Sequence, residues 1–176
     1  MRGFLVINAY YKSEKFELLH RHLVSSAKDS GAALDIRTNE EMLFEEEGRD
    51  FVLFWDKDTC LARALENRGI PVFNSAGSIE LCDDKAKTYL ALEGIVPQPE
   101  TLIAPLSFYG ADYSAFVRKA VCRLGLPLVF KERCGSFGEQ VFLCNTEADD
   151  ILLQFFGVVT YAENFSEVYS VYIARQ

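Results

Sequence analysis

Hydrophobic positions along this chain fall into short apolar runs that alternate with helical stripes. Gly3-Phe-Leu-Val-Ile-Asn8 is an apolar run closed by a polar residue and reads as a buried strand. Phe16, Leu19, Leu23 and Ala27 then recur at the spacing of one helix face. This predicts an amphipathic helix from Ser13 to Asp29, with Ser13 at its N-cap. Ala33-Leu-Asp-Ile-Arg37 reads as a second strand and Phe51-Val-Leu-Phe-Trp55 as a third. Thr59 to Asn67 carries Leu61, Ala64 and Leu65 on one face, and Gly69 supplies a stop. Pro71-Val-Phe-Asn74 is a fourth short strand. Strands alternating with helices in this way imply a parallel sheet covered by helices, whose ligands gather at the carboxyl ends of the strands. Asn8, Asp56 and Asn74 stand at those ends, where a turn or capping role is the simpler reading of each.

The pattern changes between Ser78 and Asp83, which sets two units, residues 1–77 and 78–176. Helical turns begin near Ile79 and continue to Gly94, with Asp83 or Asp84 as the cap of the longer helix. Pro97 and Pro99 stiffen an extended connection to Leu102. A helix follows from Ala111 to Leu124, with Phe116, Val117, Val121 and Leu124 on its apolar side. Leu128-Val-Phe-Lys131 is then a strand ending in a cation, and Val141-Phe-Leu-Cys144 resumes a strand after a loop bearing Gly135, Ser136 and Gly138. A glycine-bearing loop lets backbone N–H groups come close to an anion. The second unit is expected to be a helix pair on a small, mainly antiparallel sheet.

Composition and charge narrow the function. The chain has 176 residues, 49% of them hydrophobic, and a net charge of -8, which argues against nucleic acid or an anionic membrane as a partner. Up to Asp83 there are ten Lys and Arg against fifteen Asp and Glu; from Asp84 onward there are eight against eleven. An anionic ligand therefore needs a local cluster of cations. Five cysteines without a CxxC and two histidines give no zinc-site spacing, and the thiols read as buried or semi-buried in a reducing cytoplasm. There is no apolar run of membrane-spanning length and no leader pattern, so a cytoplasmic protein is expected. No GxGxxG follows the first strand.

The order of these pieces carries a resemblance. A strand–helix sheet precedes Asp84-Lys85, then Gly94-Ile-Val-Pro-Gln-Pro-Glu-Thr101, Leu126-Pro-Leu-Val-Phe-Lys131 and Cys134-Gly-Ser-Phe-Gly-Glu-Gln-Val141. From Phe4 to about Asn145 the chain resembles the amino-terminal portion of the ATP-grasp superfamily, in the branch similar to the ribosomal-protein glutamate-adding ligases. The resemblance implies an α/β fold: an open parallel pre-ATP-grasp sheet, then a small α+β subdomain, with the second ATP-grasp subdomain missing. It implies ATP, with Mg²⁺ in the full-length family, and activation of a carboxylate as an acylphosphate that an amine attacks. By the same resemblance Lys85 and Lys131 contact the nucleotide, Ser136, Phe137 and Gly138 form the flap over the phosphates with Gln140 beside it, and Glu163 stands for the acidic hinge. Metal ligands and catalytic residues have no match in this chain, so weak or undetectable ATP binding and no turnover are expected of it. Two other readings stay open: a natural short nucleotide-binding or interaction module, pairing with a second copy through the Val168 to Ala174 edge, and an unrelated α/β binding domain. The carboxylate and amine substrates are not specified by any motif.

Overall fold

The computed structural model describes residues 1–45, 48–105, 114–135, 138 and 141–146, and the backbone of a strand over 157–161. The chain divides into two compact units, Met1–Glu80 and Leu81–Gln176.

The first unit is built on four parallel strands, β1 (Arg2–Ile7), β2 (Ala33–Thr38), β3 (Phe51–Trp55) and β4 (Val72–Phe73), in the order β2-β1-β3-β4. Helix α1 (Glu14–Asp29) follows β1, and the Ser13 hydroxyl accepts from the Phe16 N–H at 3.3 Å, giving the cap expected from the sequence. Asp58 caps α3 (Thr59–Asn67) in the same way, accepting from the Leu61 N–H at 2.9 Å. Side-chain alternation along β1 and β3 decides the core. Phe4, Val6, Val52 and Phe54 are buried with Leu61, Ala62 and Leu65 of α3, while Leu5, pointing to the other face of the sheet, is fully buried as well. Each such side chain contributes roughly 1.5–3 kcal/mol by leaving water. A one-turn helix, α2 (Asn39–Met42), was not legible from periodicity; it is held by a reciprocal cap between Thr38 and Glu41 and by burial of Met42.

Helix α4 (Ala76–Asp83) leads into the second unit, which contains α5 (Lys85–Leu92), α6 (Ser114–Leu124) and an antiparallel sheet. Its strands are β5 (Thr101–Ile103), β6 (Leu128–Glu132), β7 (Val141–Cys144) and β8 (Gly157–Tyr161), in the order β5-β8-β6-β7. Leu128, Phe130 and Cys144 are buried against Val117, Ala120, Val121 and Leu124 of α6. Lys131, one residue on from Phe130, therefore faces away from α6. Its backbone is held on both sides, opposite Val141 of β7 and Val158 of β8.

Two expectations are corrected. Four of the five cysteines, Cys60, Cys82, Cys122 and Cys134, are exposed, and only Cys144 is buried, because the first three lie on outward helix faces and Cys134 lies in a loop. Tyr10 is 81% exposed, with its hydroxyl 3.5 Å from Glu40, and Tyr11 is exposed beside Phe16. The stretch beyond Pro99 is a strand, β5, paired with β8, rather than only a connection. The Val168 to Ala174 edge lies outside the described residues.

Candidate functional site

Two cations of the second unit are brought together by the way α5 begins and β6 ends. Asp84 is the N-cap of α5: its Oδ1 accepts from the N–H groups of Ala86 at 2.9 Å and Lys87 at 3.2 Å. Lys85 is the first helical residue, and its own N–H donates to the Arg133 carbonyl at 2.8 Å. The start of α5 is thus tied to the chain leaving β6, and its first N–H groups are already occupied. The Lys85 ammonium reaches further along the same loop and donates to the Gly135 carbonyl at 3.4 Å.

Lys131 sits on the interior strand β6 and is half-buried. Burial, and after it the nearby Lys85 ammonium, hold its pKa below the ordinary lysine range. Among the described residues no carboxylate or carbonyl meets its Nζ. A cation in that position is short of an anionic partner, and the neighbouring cation sharpens the deficit.

Asp84 does not fill the deficit, since it is engaged elsewhere. The Arg133 guanidinium grips it through two hydrogen bonds, Nε to Oδ1 at 3.3 Å and a very short one from Nη2 to Oδ2. Burial alone would raise the Asp84 pKa, but the Arg133 hydrogen bond and the two backbone N–H donors outweigh it and leave the carboxyl below its usual value. The same hydrogen bond raises Arg133. Asp84 and Arg133 therefore neutralise one another beside the two lysines.

Gly138 supports the hairpin between β6 and β7: its φ is 75°, and its carbonyl accepts from the Val141 N–H at 3.3 Å. A Cβ at Gly138 would meet nothing within 4 Å, so conformation rather than crowding favours glycine there. Ser136, Phe137, Gln140 and Glu163 lie outside the described residues. Lys87 is exposed and takes no part. Glu132 is exposed, and Arg133 pairs with Asp84. The Asp84–Arg133 pair joins positions 49 residues apart, and only the adjacency of each member to a candidate lysine hinted at it.

The strand-end residues of the first unit pair with one another. Asn8 Nδ2 donates to Asp56 Oδ1 at 3.0 Å, Asn8 Oδ1 accepts from the Tyr10 N–H at 2.9 Å, and Asn74 Nδ2 donates to the Phe54 carbonyl at 3.3 Å. They serve as turn residues. Among the described residues no group of three or more His, Cys, Asp or Glu could hold a metal, and no helix is long and apolar enough to cross a membrane.

Solved structures with the same arrangement decide the fold. A RimK domain protein ATP-grasp from Sphaerobacter thermophilus superposes with a TM-score of 0.67 at 18% identity, covering 92% of this chain and 63% of that one. D-alanine–D-alanine ligase from Bacillus anthracis superposes with a TM-score of 0.64 at 18% identity, covering 92% of this chain and 57% of that one. The chain has the ATP-grasp fold. No protein-family model matches it. Among curated proteins, the uncharacterized protein MG012 homolog of Mycoplasma pneumoniae is 34% identical over 125 residues, 68% of this chain and 43% of that protein. Glutamate–LysW ligase ArgX of Sulfolobus acidocaldarius is 41% identical over 81 residues, 45% of this chain and 26% of that protein. The chain thus spans less than half the length of the curated relatives it matches. Of the site residues expected from the sequence, Lys85 and Lys131 lie near enough for the Lys85 charge to act on Lys131.

Proposed function

We propose that Lys85 and Lys131 bind the phosphates of ATP in an acid–amine ligase of the ribosomal-protein glutamate-ligase-like branch. One observation carries the reading: a half-buried lysine on an interior strand, without an acceptor among the described residues, stands beside a second lysine. Such a pair suits a ligand bearing several negative charges, because ammonium–phosphate hydrogen bonds in a partly dry site are the strong kind. Residues 1–77 act as the pre-ATP-grasp domain and residues 78–176 as part of the nucleotide-binding domain. Ser136, Phe137 and Gly138 close over the phosphates, Gln140 lies beside them, and Glu163 marks the hinge. ATP, when bound with Mg²⁺, supplies the phosphoryl group that turns a carboxylate into an acylphosphate, from which an amine displaces phosphate. Lys131 holds charge against the phosphates from a fixed strand, and Lys85 does so from the first turn of a helix. Five cysteines, none of them in a disulfide, support a cytoplasmic setting.

Calorimetric titration of the chain with ATP and Mg²⁺ tests this. The reading expects saturable binding that Lys131→Met weakens at least tenfold. Equal affinity in the wild type and Lys131→Met, or no binding by the wild type at millimolar ATP, would overturn it.

A further inference from the structure

We infer that Asp84 and Arg133 are positioning residues that hold the Lys85 ammonium beside Lys131, so that the charge pair exists before any anion arrives. The role rests on the nucleotide reading for its purpose but on geometry for its content. Two like charges on flexible side chains move apart unless their backbones are fixed. Lys131 is fixed by the ladders to β7 and β8. Lys85 has no such ladder. It starts an eight-residue helix, and what locates that start is a three-part tie to the segment leaving β6. The Arg133 guanidinium takes both oxygens of the Asp84 carboxylate, and Asp84 in turn caps the helix through Ala86 and Lys87. The Arg133 carbonyl takes the Lys85 N–H. The Gly135 carbonyl, two residues on, takes the Lys85 ammonium.

These contacts converge on one residue from both its neighbours in sequence and its neighbours in space. Arg133 contributes twice, by side chain and by backbone, so its orientation sets where the helix begins. Asp84 is buried, which makes the pair costly to break on one side only. A guanidinium is needed rather than an ammonium, because a planar fork matches both carboxylate oxygens and a point charge does not. If the tie is cut, α5 and the loop at 133–135 can separate, and Lys85 leaves Lys131 to relieve the repulsion.

The test compares Arg133→Ala, Arg133→Lys, Asp84→Asn and the Asp84→Asn/Arg133→Ala double variant in the full chain. Two readouts are used: titration of the Lys131 side chain by NMR of labelled lysine, and affinity for ATP with Mg²⁺. Arg133→Ala should return the Lys131 titration toward that of an ordinary lysine and weaken ATP about five- to twentyfold. Arg133→Lys should recover part of both, and the double variant should be no worse than either single one. Asp84→Asn keeps a capping oxygen and so decides the matter if Arg133→Ala does not fold. A purely structural pair would lower the unfolding temperature while leaving the Lys131 titration and the affinity where they were, and that result overturns the inference. Should the wild type bind no ATP, the nucleotide reading falls by itself, while the Lys131 titration still decides whether the two residues position Lys85.

Discussion

Replacing Lys131 by methionine separates two demands made on that position. The side chain lies half-buried, with no acceptor among the described residues and another ammonium nearby, so its charged form is disfavoured in the folded state. Methionine keeps the length and loses the charge, and the folded state should gain about 0.5–2 kcal/mol, measured by urea unfolding at neutral pH. The same change removes the proposed phosphate ligand, so stability and ATP affinity should move in opposite directions; a loss of both would mean the lysine is held in place by something structural. The pH dependence follows with a definite sign. The folded-state pKa lies below the unfolded one, so the destabilisation is complete at neutral pH and is relieved as pH rises through the folded value. Over that same interval the free protein loses the proton that ATP requires. Affinity should therefore begin to fall at a lower pH than an unperturbed lysine would allow, and Lys131→Arg, which stays charged, should hold its affinity further into the alkaline range. A profile that is flat to about pH 10 would remove Lys131 from the binding step.

At the level of elements, β6 joins core and site. Leu128 and Phe130 pack against α6 while Lys131 lies on the opposite face beside the buried Val129, so the strand is located by apolar side chains on both faces and carries its cation at the end of one. Leu128→Ala should cost about 2–5 kcal/mol and reduce ATP binding through loss of the folded unit, not through any contact with ligand. Hydrogen exchange would register it as lost protection along β6 and β7; unchanged protection there would show that the strand is held by something other than the α6 core. Such elements were legible because each announces itself locally. The runs 51–55 and 128–130 are uninterrupted and apolar, and Ser13 precedes a helical stripe. The elements that escaped have no local signal. Helix α2 is one turn long and buries one side chain, Met42, while β5 is three residues, too short to show an alternation, and is fixed by its pairing with β8. The site divides in the same way. Lys131 was visible as a cation ending an apolar run, and Lys85 became a candidate only through the order of motifs. The Arg133 grip on Asp84 depends on a meeting across 49 residues that neither neighbourhood encodes. The flap positions Ser136, Phe137 and Gln140, and Glu163 at the hinge, remain assignments by resemblance.

For the whole molecule, the question is how a chain of net charge -8 attracts an anion at all. The excess is spread along the sequence, fifteen acidic against ten basic residues up to Asp83 and eleven against eight beyond it, so no half offers a basic field. Long-range steering therefore opposes ATP, and attraction must come from charges within a few ångströms of it. Salt distinguishes these two parts. The screening length is about 8 Å at physiological ionic strength, and partly buried charges are screened less than exposed ones. Raising sodium chloride should relieve the diffuse repulsion while weakening the short contacts to Lys85 and Lys131 only modestly. Between about 20 and 200 mM salt, with free Mg²⁺ held constant, affinity should change by less than about threefold, and the association rate should stay level or rise. A fall of tenfold or more would mean that binding relies on exposed cations scattered over the surface. The converging lysines would then be bystanders, even if the nucleotide bound.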